Sequence, residues 1–226
     1  MRKLLAMVAM ATVVTGSLVS SSARAATPFV DWSTMYQQEA GWVNGVSLNG
    51  AAMSSYGVVN FWGGPFAALP FAGHEYTVVF TGLTSQGTTA TCGGPLCLYH
   101  TNYNGGTFAI YDDVGPGTAA NYCNQATFTD GTVLLSGVFN SFFENGQNLS
   151  TVGNFEGDVT FTGGTLLGLV ANPGTGIFTG GTDRRASLLP VCIGGPQYVL
   201  LNDGKGDLNP PVPTKGTTWS GIKSQY

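Results

Sequence analysis

From about residue 56 onward the chain is written in short alternations of apolar and polar residues, broken by glycine. HEYTVVFTGL, residues 74–83, sets Tyr76, Val78 and Phe80 on one side and Thr77, Val79 and Thr81 on the other. That period of two is what a β-strand imposes. GTFAIYD, residues 106–112, repeats it with Phe108 and Ile110 on one face. Residues 56–62 and 197–202 are further strand candidates, and residues 133–143 read as one long strand. Two stretches nearly copy each other, TFTDGTVL at 127–134 and TFTGGTLL at 160–167. Asp-Gly and Gly-Gly suit the positive φ angles of two-residue hairpin turns. Each copy therefore predicts a hairpin, with Phe128 opposite Val133 and Phe161 opposite Leu166. Such Phe–aliphatic pairs contribute roughly 0.2–1 kcal/mol each.

Shorter echoes occur at Phe178–Thr182 and Gly105–Thr107. The second glycines, Gly106, Gly131, Gly164 and Gly181, are unevenly spaced, which favours a meander of hairpins over a solenoid of fixed period. Residues 27–73 are less regular. Asp31-Trp32-Ser33 suits a helix cap and predicts a short helix from Met35 to Glu39, limited by Gly41 and Gly45. The fold class expected is all-β: an antiparallel β-sandwich built from a meander of hairpins, with that one short helical piece near its start.

The first 25 residues follow another pattern. Arg2 and Lys3 precede an apolar run from Leu4 to Val14, and Ala23-Arg24-Ala25 fits a small-x-small cleavage site before Ala26. This is the pattern of a secretory signal peptide, and the run is too short and interrupted for a membrane span. The expected organisation is a signal at 1–25, one β-sandwich domain at 26–202, and an extended tail at 203–226 docked through Trp219 and Ile222. The expected location is extracellular or periplasmic.

Charge narrows the partners. Cleavage would remove Arg2, Lys3 and Arg24, leaving 5 Lys and Arg against 12 Asp and Glu, a net of −7. So few cations argue against nucleic acid, whose phosphates must be neutralised, and against anionic membrane surfaces. Calcium or other cations remain possible partners; with only 9% of residues charged, polarity comes from Gly, Thr, Ser and Asn, a composition common in secreted β-proteins that by itself points to no ligand. Cys92, Cys97, Cys123 and Cys192 form an even set in an exported chain, which predicts disulfides. Of three connectivities, proximity prefers Cys92–Cys97 and Cys123–Cys192. Zinc is disfavoured, because Cys-x4-Cys lacks a nearby His.

The ordered set EYTVVFTGL, GGTFAIYDD, ATFTDGTVLLSG, GNFEGDVTFTGG and the closing DGK with TTWSGIKSQY resembles a family of uncharacterised secreted bacterial β-proteins. The resemblance spans roughly residues 74–226. Some members carry a C-terminal sorting segment; here no apolar helix and no basic tail follow Trp219. The resemblance implies a β-fold and export and lends no catalytic residue.

Candidate chemistry is sparse. His74 and His100 are the two histidines. If their strands were neighbours, both could converge with Glu75, Asp112 and Asp113 into an acid–base or metal site; two separate histidines are the preferred reading. Glu156 and Asp158 share a strand face, as a glycosidase pair could, but read better as a solvated acidic face. There is no G-x-S-x-G, H-E-x-x-H or P-loop. The run from Asn202 to Asn209 resembles a calcium loop in outline, with Asp203, Asp207 and Asn209 as ligand candidates. It lacks the alternation and closing Glu of an EF-hand and reads first as a polar turn. Tyr99, Tyr103 and Tyr111, with Tyr122 nearby, are candidates for stacking on a sugar or a protein surface. The function expected is a non-enzymatic extracellular role, binding a matrix polysaccharide or an envelope protein. The alternatives are a polysaccharide-active or other hydrolytic enzyme using His74 and His100, and self-association through exposed sheet edges.

Overall fold

The computed structural model describes residues 28–170 and 174–209. The signal reading at 1–25 and the docking of Trp219 and Ile222 lie outside them. The described chain is all-β and antiparallel. Its strands are β1 (Pro28–Glu39), β2 (Asn49–Val58), β3 (Phe61–Trp62), β4 (His74–Gly93), β5 (Leu96–Val114), β6 (Thr132–Gln147), β7 (Val152–Gly163), β8 (Thr175–Asp183) and β9 (Leu200–Asn209).

They form one sheet in the order β2-β4-β5-β6-β7-β8-β9-β1-β3, and β2 also pairs with β1. Eight strands therefore make a ring, closed where β1 lies between β9 and β2: Tyr36 is opposite both Leu201 and Tyr56. The layers of the expected sandwich are opposite walls of this one closed sheet. The two-residue β3 pairs with the first part of β1, at Val30 and Asp31.

An eight-stranded ring is just wide enough for side chains to fill. Here aromatic residues fill it. Phe29, Trp32, Phe80, Phe108, Phe142, Phe155 and Phe178 are all fully buried, each contributing about 1.5–3 kcal/mol of apolar burial. Phe178 meets Phe80, Phe108, Trp32 and Phe29 at centroid distances of 5.3, 4.9, 5.6 and 6.0 Å. Outward positions such as Thr84, Asn102, Asn140, Asp158 and Thr162 are exposed and polar, the reverse of the outward apolar band that a lipid-embedded barrel carries. Among the described residues no helix is long and apolar enough to cross a membrane.

Four expectations need correction. Residues 31–39 are strand, not helix: β1 is hydrogen-bonded on both sides, and that pairing overrides a local capping signal. Neither near-copy is a hairpin. Residues 125–128 form a 3₁₀ turn that buries Phe128 outside the ring, against Tyr56 and Tyr122. After β7 the chain lies along β6, with Thr165 and Leu166 donating to the carbonyls of Val133 and Leu134. The third echo, Phe178–Thr182, runs straight through β8.

Lastly, residues 202–209 are strand β9 rather than a turn, and 203–209 belong to the sheet rather than to a tail. The clean alternation of residues 74–80 holds, with Tyr76, Val78 and Phe80 in the core. The disulfides are Cys92–Cys97 and Cys123–Cys192. The first closes the tip of the β4–β5 hairpin, and the second ties the outer loop before β6 to the loop before β9.

Candidate functional site

The ring has two different ends. At one, His74 Nδ1 lies 2.8 Å from Asp112 Oδ1 and its ring stacks on Tyr76. Glu75 there accepts the Ala120 N–H, and Asp113 stands opposite Glu75. His100 is elsewhere. His74 is paired with Val114, and His100 lies fourteen residues back along the same β5, on the order of 40 Å away at strand rise. It contacts Asn145 and Asn102. The expected convergence of both histidines on one site does not occur. Asp207 sits beside Lys205 at 2.9 Å and Asp203 is exposed; neither adjoins a cluster of three potential metal-ligating side chains among the described residues. Asn209 ends β9. Asp158 is exposed and accepts from Ser141, and Glu156 is half-buried on the same strand.

The opposite end holds the chemistry. Strand alternation carries Phe142 and then Glu144 inward on β6, Gln37 and then Glu39 on β1, and Tyr103 on β5. Glu39, Glu144 and Tyr103 are 5%, 8% and 3% exposed. Tyr103 Oη lies 2.9 Å from Glu39 Oε2 and 3.1 Å from Glu144 Oε2. Glu39 also accepts from Ser47 Oγ and, at 3.2 Å, from Gln37 Nε2.

A phenol has one proton and can donate to one of two carboxylates. For both contacts to be hydrogen bonds, one acid must keep its own proton and donate to the Tyr103 oxygen. Glu144 is that acid. Burial, then the charge of Glu39, pushes its pKa up to about 8 against hydrogen bonds from Tyr103 and Gln37, and no third hydrogen bond like that of Ser47 to Glu39 opposes the rise. Burial also raises Glu39, but hydrogen bonds from Ser47, Tyr103 and Gln37 oppose the rise. Tyr103 is pushed far above the ordinary phenol value by burial and by the two acids, so it stays a donor. Glu144 Oε1 has no hydrogen-bond partner.

The β1–β2 loop caps this end. Val43 and Val46 exchange both backbone hydrogen bonds across Asn44-Gly45, whose φ angles of 53° and 89° fit a primed two-residue turn. Arg184, just past β8, donates to the carbonyls of Asn44, Gln147 and Ser150, clamping the loop to the β6–β7 turn. Ser47 fastens the other end of the loop through Glu39, Ser85 and the Thr88 hydroxyl.

Between loop and ring is a cleft. Its outer part, about 440 Å³, is lined by Trp42, Tyr99, Asn148, Ser150 and Arg184 among others. A throat of about 30 Å³ leads inward between Trp42, Tyr99, Thr101 and Arg184 to Glu144. Of the tyrosines expected to bind, Tyr99 lines the cleft, Tyr103 is buried beneath it, and Tyr111 pairs with Thr77 and Val133 away from it. Sequence reasoning missed Trp42, Glu39, Glu144 and Arg184. The Asn44-Gly45 dipeptide and the inward parity of Phe142 and Glu144 were the available signals.

Searches against protein-family models, curated proteins and solved structures find no match for the chain.

Proposed function

We propose that the protein is an exported, non-enzymatic binding protein whose cleft at the Glu144 end takes a segment of an extracellular polysaccharide. The observation that carries this reading is the pairing of Trp42 and Tyr99 with Asn148, Ser150 and Arg184 around about 440 Å³. That volume is in the range of small-ligand sites. Aromatic faces suit the apolar faces of sugar rings, and amide, hydroxyl and guanidinium groups suit their hydroxyls. Two disulfides fit an oxidising compartment.

Titration of the full chain with a panel of soluble oligosaccharides, followed by tryptophan fluorescence and calorimetry, tests the reading. Binding is expected without release of shorter products, and Trp42→Ala weakens it about ten-fold, the equivalent of one lost aromatic contact. A panel with no binder, or turnover of any member, overturns it.

A further inference from the structure

Resting on the cleft as a sugar site, we infer that the throat above Glu144 receives a primary ammonium group, and that the polysaccharide is one bearing free amines. Two acids alone would not make a site. The independent observation is Glu144 Oε1: the residue lines the throat, is 8% exposed, and leaves this oxygen without a partner. An unpaired buried acceptor is costly, so the oxygen lacks a donor that a ligand can supply.

Size limits the donor. A throat of about 30 Å³ holds one or two water-sized groups. An ammonium or a hydroxyl fits, while a guanidinium or a quaternary amine does not.

Charge then chooses between them. Among the described residues, none of the ion pairs involves Glu39 or Glu144. The groups facing Glu144 are Glu39 and Gln37 from β1 and Tyr103 from β5, while Tyr99 from β5 and Arg184 beyond β8 line the same throat. Arg184, the cation among them, commits three of its five N–H donors to backbone carbonyls. A hydroxyl would satisfy Oε1 and leave the two acids still sharing a proton. An ammonium brings the charge that lets Glu144 ionise, replacing the retained proton with a bound cation. Above it, the ring faces of Trp42 and Tyr99 also favour a cation.

This makes the binding reaction an exchange. The ammonium enters, and the proton held by Glu144 leaves to solvent, so atoms and charge balance. The test uses calorimetry of the full chain at about pH 5.5, where both the probe's amines and Glu144 hold their protons, in two buffers of different ionisation heat. The probes are a β-1,4-linked glucosamine tetrasaccharide and its fully N-acetylated counterpart. The free-amine ligand is expected to bind at least about ten-fold more tightly, with proton release. Glu144→Gln keeps the hydrogen bond to Tyr103 and the fold, as its melting curve would check, but should lose both the preference and the release.

Equal binding of the two probes, or undiminished preference in Glu144→Gln, overturns the ammonium assignment while leaving a sugar site in place. If neither probe binds and no other oligosaccharide does, both readings fall together.

Discussion

Glu144 sits where a strand pattern puts a core residue, and there it becomes an acid that keeps its proton. The consequence for stability has a definite sign. In the unfolded chain the carboxyl ionises near 4.5, whereas in the folded chain it does so near 8. Below the lower value both states hold the proton and nothing is lost. As pH rises between the two values the unfolded state sheds its proton first, so unfolding becomes progressively easier; above the upper value the penalty is constant. Thermal melts should show the wild-type melting temperature falling across that window. Glu144→Gln should flatten the fall and be more stable at its upper end by about 4–5 kcal/mol. A wild-type melting temperature that rises over the same interval would refute the assignment of the proton to Glu144. At this scale the sequence singles out Tyr99, which lines the cleft, but not Glu39. The capping signal at Asp31-Trp32-Ser33 pointed to a helix, and helix parity hides which way residue 39 faces. His74 and His100 stood out because they are rare, and rarity carries no information about distance.

Among the strands, alternation predicted the long β6 and the inward face of β4 well, because one buried wall fixes parity. Glycine was the misleading signal. In a sequence it marks turns, yet several glycines here are inward slots between neighbouring rings. Gly180, in the middle of β8, shows the difference. A Cβ there would fall 2.1 Å from the Asp203 carbonyl oxygen and 2.5 Å from the Phe155 ring. Its neighbour Gly181 faces out, and a Cβ there would meet nothing nearer than 4.0 Å. Gly180→Ala should therefore cost about 1–3 kcal/mol through overpacking, while Gly181→Ala should leave urea unfolding almost unchanged. Equal effects of the two would mean that the β8–β9 wall is looser than it looks. The Gly-Gly pair was legible as a pattern, but whether it bends a chain or makes room for a phenylalanine depends on a partner strand that lies far off in sequence.

For the whole molecule, the ring pairs off the sheet edges that an open sandwich would leave bare. Each barrel strand is paired on both sides, and an edge that is paired offers no template. The closing ladder is between the first strand and the last: Pro28 stands opposite Asp207, and Gln37 opposite Leu200. These partners are about as far apart in the chain as the described residues allow, and distant pairings form slowly. A polypeptide leaving the ribosome must therefore wait, since β1 has nowhere to complete its bonding until residue 209 has been made. A chain stopped at residue 199 should expose both β1 and β8 as bare borders and sediment as aggregate, where the full chain stays in the supernatant. A truncated chain that remained monomeric would show that the last strand is an ornament on the barrel rather than its fastening.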